Sequence, residues 1–229
     1  MALSALISYD DTENDHDALA LGRILAGAGA ELTLAYVRHT KDDRPEREAL
    51  AGHEADALLE RGVHWLDDPH AERRVVVSGS TAEGLGWLAQ REQADVIVFG
   101  SEYRTRTGHV SVGRSAQTLL ERGPAALALA PAGYRDHYQG PVATIGVLPG
   151  SADEAAIETA FSLAARLQAT VVDRERGVDL LVVGSRSDAP RGRLSVSSRS
   201  QNAIEEAISP VLVIARGAAL EFERTLVTA

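Results

Sequence analysis

The sequence predicts an α/β protein: a doubly wound parallel five-stranded sheet followed by a second, truncated copy of the same fold. Three observations carry this reading. Short apolar runs alternate with stretches of helical periodicity as far as residue 131. A second set of blocks then repeats the first at an offset of 84 residues, which places Asp95 on Asp179, Gly100 on Gly184, Ser101 on Ser185, Gly108 on Gly192, Ser111 on Ser195 and Gln117 on Gln201. The composition, 45% hydrophobic but only 4% aromatic over 229 residues, suits one large core or two small ones built of Ala, Val, Leu and Ile.

Taken in order, residues 4–10 form an apolar run that stops at an acidic cluster, and residues 15–30 carry apolar positions at helical spacing. Asp11, Glu13, Asp15 and Asp17 read as cap and dipole partners of that helix. Residues 31–37 give a second strand, 46–62 a helix, 73–79 a third strand and 81–93 a helix. Residues 94–101 form a fourth strand with a nearly unbroken apolar core, 115–123 a helix and 125–131 a fifth strand. The expected first domain is 1–135, a polar, turn-rich linker occupies 136–141, and the second domain is 142–229.

In the second copy, residues 142–150 form a strand, 153–169 a helix, and 178–185 and 210–217 two further strands. Residues 170–172 are not expected to act as an ordinary second strand, because a parallel return needs a dozen or more residues. The reduced sheet is expected to draw instead on the tail, residues 220–228.

The charge narrows the function. With 33 acidic against 23 basic residues the net charge is -10, which argues against a broad grip on nucleic acid or an anionic membrane. No cysteine occurs, so disulfides and thiolate metal sites are excluded, and the seven histidines lack ligand spacing. No basic leader and no apolar run of about 20 residues is present, and the expected location is cytoplasmic. Against this acidic background Arg104, Arg106, His109 and Arg114 concentrate in the loop between the fourth strand and its helix.

The run from Gly100 to Leu120, with "GSEYRTRTGHVSVGRSAQTLL" between "ADVIVF" and "PAALALAP", resembles the signature of the universal stress protein family. "SYDDT" at 8–12 is similar to that family's first strand, and residues 75–89 to its third strand and helix. The resemblance implies the strand order 3-2-1-4-5 of an adenine nucleotide alpha hydrolase-like fold. It also implies two domains joined through their last strands as an internal pseudo-dimer or homodimer, and in many members ATP, with or without Mg.

In such a sheet the ligand lies where the strand order reverses, at the ends of the first and fourth strands. The residues implied are Asp10 and Val37 for the base, and Gly100, Arg104, Gly113, Arg114 and Ser115 for the phosphates, with Ser111 a further hydroxyl. The chain departs from the nucleotide-binding pattern at Tyr103, where a ribose or phosphate needs room, and at Arg114, where the family has a hydroxyl. In the second copy Ser187, Ser197 and Pro149 stand at the matching positions, and no second nucleotide site is expected. Two functions stay open. One is a stress-response or signalling protein that binds adenine nucleotide in its first domain and acts through association with an unidentified partner, without catalysis beyond slow incidental hydrolysis. The other is a dimerisation or scaffold module that binds no nucleotide.

Overall fold

In the computed structural model, residues 2–41, 44–137, 140–148 and 154–222 are described. The first repeat runs β1 (Ser4–Ser8), α1 (Glu13–Gly27), β2 (Glu31–Arg38), α2 (Pro45–Leu66), β3 (Glu72–Val77), α3 (Thr81–Glu92), β4 (Val96–Gly100), α4 (Arg114–Arg122) and β5 (Ala126–Ala130). The short α5 (Tyr134–His137) leads into β6 (Thr144–Val147), α6 (Glu154–Leu167), β7 (Thr170–Val172), β8 (Leu180–Gly184), α7 (Ser198–Glu205) and β9 (Val211–Ile214). Among the described residues nine strands lie in one sheet of order β3-β2-β1-β4-β5-β9-β8-β6-β7. The first five strands thus take the order 3-2-1-4-5, all parallel.

The period of two along each strand sorts side chains between two cores. Ala5 and Ile7, with Val96 and Val98, face α1, α2 and α6, whereas Leu6, Ile97 and Phe99 face α3, α4 and α7. The central strands are covered on both faces, which is why β4 reads as a continuous apolar run. The repeats meet where β5 and β9 pair antiparallel, with Ala128 opposite Leu212. Asp95 and Asp179 do equivalent work at the starts of β4 and β8. Asp95 accepts the Ser4 N–H at 2.8 Å, and Asp179 accepts those of Ala143 and Thr144 at 2.9 and 2.8 Å, so each ties the first strand of its repeat to the fourth.

Residues 170–172 correct the sequence reading. They form β7, parallel to β6 at the sheet edge, in the position of a second strand. The return to β8 then uses only residues 173–179. It succeeds because β7 is so short. The chain need travel back only about 10 Å along the strands and about 10 Å across β6, and seven residues can span up to about 23 Å. This tight passage requires Gly146, because a Cβ there would overlap the carbonyl of Arg174 and come within 2.9 Å of Val178. The expected use of the tail also changes: the N–H groups of Leu220 and Phe222 donate to the hydroxyls of Thr159 and Ser162 at 2.8 Å each, against α6 rather than in the sheet. The remainder of that tail, and Pro149, lie outside the described residues.

Asp17 ties α1 to the start of α5. Fully buried, it accepts the backbone N–H groups of Gly133 and Arg135 at 2.8 and 2.9 Å and faces the Arg135 guanidinium at 3.3 Å. Its role is therefore to anchor the chain after β5, not to serve the helix dipole. Among the described residues no helix is long and apolar enough to cross a membrane.

Candidate anion site at the switch point of the first repeat

β1 leads outward to β2 and β3 on one side, and β4 begins the other side, so the strand order reverses between the ends of β1 and β4. Asp10 stands two residues beyond β1, exposed over much of its surface but with a partly desolvated carboxyl. Its N–H donates to Asp15 at 2.9 Å, and Asp15 also accepts the N–H and hydroxyl of Thr12 at 3.0 and 2.8 Å, closing the first turn of α1. Partial burial and then the neighbouring Asp15 charge hold the Asp10 carboxyl above its usual range, against the pull of His39. Burial also raises Asp15, more than its hydrogen bonds lower it. For Asp11 the balance is opposite: burial is outweighed by hydrogen bonds from Tyr9 at 2.7 Å and Arg61 at 2.6 Å, and its carboxyl lies below the usual range.

Val37, near the end of β2, is buried against α3, where a Cβ on Gly84 would come within 2.9 Å of it. Gly100 has a packing role that sequence reasoning missed. The place of its absent Cβ is taken by the Asn14 carbonyl of α1, so the residue admits helix backbone at this point. The Asn14 amide in turn donates to the carbonyls of Ser101 and Glu102 at 2.8 and 2.9 Å, fixing the start of the arginine-bearing loop.

That loop is pinned from inside. The buried Ser101 hydroxyl donates to the Ala130 carbonyl at 2.7 Å and accepts the Ser111 N–H at 3.1 Å. Ser185 repeats this with Ile214 at 2.8 Å and Ser195 at 3.3 Å, which explains why a serine recurs at the 84-residue offset. Each repeat also braces the other's loop: the Val110 N–H of this loop reaches the Ala207 carbonyl at 3.0 Å, and the Leu194 N–H of its counterpart reaches the Gly123 carbonyl at 3.1 Å. Within the loop Arg104 is left-handed, with φ 73°, and its guanidinium lies 5.4 Å from the centre of the Tyr103 ring. Tyr103 is 79% exposed, so it points to solvent instead of closing off the space expected of it.

The loop ends at Gly113, the N-cap of α4, which offers no side chain to the open N–H groups of that helix. Arg114, exposed, and Ser115, half-buried, form its first turn. A positive helix end that begins with an arginine can accept an anion. Glu102 works against it, since its Cβ lies 3.8 Å from the position a Gly113 Cβ would take. In the second repeat the matching cap is Ser197, whose hydroxyl accepts the Ser200 N–H at 3.1 Å, and Arg186 is engaged by Asp188. The two helix starts therefore differ: one is open, the other closed by its own side chain. Among the described residues no group of three or more His, Asp or Glu is arranged to hold a metal ion.

The sequence profile of the universal stress protein family matches residues 2–131. No curated protein gives a significant sequence match. Among solved structures the chain is similar to a universal stress protein from Archaeoglobus fulgidus, with TM-score 0.71 and 13% identity over 93% of this chain and 98% of that one. It is also similar to a putative universal stress protein from Pseudomonas aeruginosa, with TM-score 0.61 and 13% identity over 93% of each chain. At such identities these likenesses speak to the fold.

Proposed function

The chain belongs to the universal stress protein family, which makes it a stress-response protein, and from that premise we propose that its first repeat binds an adenine nucleotide and that it acts through association, without catalysis. One observation carries this reading: the start of α4 is open at Gly113, while its counterpart is capped by Ser197. A triphosphate would be held by the N–H groups after Gly113, with Arg114, Ser115 and Arg104 supplying charge and hydroxyl contacts that offset repulsion by a protein of charge -10. Asp10, just beyond the end of the first strand, would meet the base.

The test is direct. Denatured protein is cleared and its supernatant read by mass spectrometry, alongside an ATP titration by calorimetry. Release of adenine nucleotide, or saturable binding below millimolar ATP, is expected. A nucleotide-free supernatant with a flat titration would leave the alternative, an association module that uses this shape without a ligand.

A further inference from the structure

The first repeat covers the outer flank of its first helix with α2, and among the described residues the second repeat has no helix in that place. The two halves can be aligned from their contacts. Ala5 of β1 and Ile145 of β6 pair with Val96 and Leu180, which are repeat counterparts. Asp17 of α1 and Thr159 of α6 each accept backbone N–H groups from the segment beyond the last strand of their repeat. The strand pair differs by 140 residues and the helix pair by 142; counted from the helix pair, His16, Leu19 and Arg23 correspond to Glu158, Phe161 and Ala165.

In the first repeat α2 meets this stripe. His16 stacks on Trp65 with ring centres 5.2 Å apart, Arg23 lies 4.5 Å from the same ring and donates to the Leu66 carbonyl at 3.0 Å, and Leu19 is fully buried. In the second repeat the chain goes from α6 through β7 directly to β8, so among the described residues nothing equivalent to α2 is present. Phe161 is then 60% exposed and Ile157 44%, with Ala165 exposed beside them. Helical spacing puts these three on one flank of α6 and Thr159, Ser162 and Arg166 on another. The described end of the chain occupies the second flank, at Thr159 and Ser162.

We propose that the Ile157–Phe161–Ala165 flank docks an amphipathic helix of a partner protein, with an apolar stripe edged by Lys or Arg, in the place that α2 holds in the first repeat. Charge selects this occupant. Glu154 and Glu158 are exposed along the stripe, and neither has an ion-pair partner among the described residues. In the first repeat the covering helix brings a cation to the same end of its partner, Arg61 to Asp11 at 2.6 Å. A second copy of this chain would instead set the same two glutamates, and a net charge of -10, against their like.

The test uses dye-labelled helical peptides of about 18 residues, long enough to hold helix: an amphipathic Leu/Lys sequence, the same residues scrambled, and a Leu/Glu version. Fluorescence anisotropy is read against the parent, Phe161→Asp, the double variant Glu154→Lys/Glu158→Lys, and Val77→Asp, which alters an exposed apolar side chain at the far sheet edge. The amphipathic basic peptide is expected to bind the parent about tenfold or more tighter than either control peptide. Both α6 variants should lose that preference, and Val77→Asp should keep it, with all melting temperatures near the parent's. Equal binding of the scrambled peptide, or full binding by the α6 variants, would overturn the proposal. So would light scattering that shows a parent dimer broken by Phe161→Asp, which would give the flank to a second copy.

Discussion

The side-chain amide of Gln201 donates to that of Gln117 at 3.1 Å, although the two glutamines are 84 residues apart and hold the same place in the two repeats. Ala128 and Leu212, counterparts at the same offset, face each other between β5 and β9. One approximate two-fold axis therefore passes through a polar contact between helices and an apolar one between strands. It joins a complete repeat to a shortened one.

Replacing Gln117 with alanine should weaken that junction without dissolving it. The Gln201 amide keeps its bond to Glu205 at 2.7 Å, so only one neutral hydrogen bond is lost. About 1 kcal/mol of stability is expected to go, seen as a lower urea midpoint with unchanged slope. A changed slope would mean that the two repeats had ceased to unfold together.

Gly146→Val should be far more damaging than its size suggests. The added atoms meet the Arg174 carbonyl and Val178, both in the short return from β7 to β8, and neither is the free end of a flexible side chain. A loss of about 2 kcal/mol or more is expected, with hydrogen exchange rising first in β7. Parent-like stability would show that the crossover has room to lift off β6.

The pH dependence carries its own test. Asp15 has a folded pKa above its ordinary value of 3.8, chiefly through burial. The folded state therefore holds its proton more tightly, and the stability this adds is fully present below 3.8 and lost as pH rises through the higher folded value. Asp15→Asn removes that contribution. Urea midpoints measured upward from pH 4 should fall less steeply for the variant than for the parent. Parallel curves would place the Asp15 carboxylate in a solvated setting.

Legibility from the chain alone tracks the range of the forces. Strand and helix order in the first repeat was legible because period and composition act locally, as in the apolar run of β4. The place of β7 was not, because its return depends on an absent Cβ at Gly146, some thirty residues away in sequence and in contact only after folding. The site divides the same way. Gly113 and its arginines stood out as a local pattern, whereas Asn14 filling the space at Gly100 and Glu102 beside the helix start are products of packing. Ser101 was visible through the repeat, but its part in pinning the loop was not.

The difference between the two helix starts permits a substitution that separates folding from binding. Aspartate is a favoured N-cap, so Gly113→Asp should leave α4 as stable as before or more so. The same carboxylate would occupy the open N–H groups and place negative charge where phosphates must go. If the nucleotide reading holds, ATP affinity should fall about tenfold or more, while the melting temperature stays level or rises. Ser197→Asp makes the matching change where Ser197 already accepts the Ser200 N–H at 3.1 Å, and should leave ATP binding untouched. Equal losses in both variants would point to long-range charge instead of a site. An unaltered affinity in Gly113→Asp would remove the α4 start from the nucleotide's contacts.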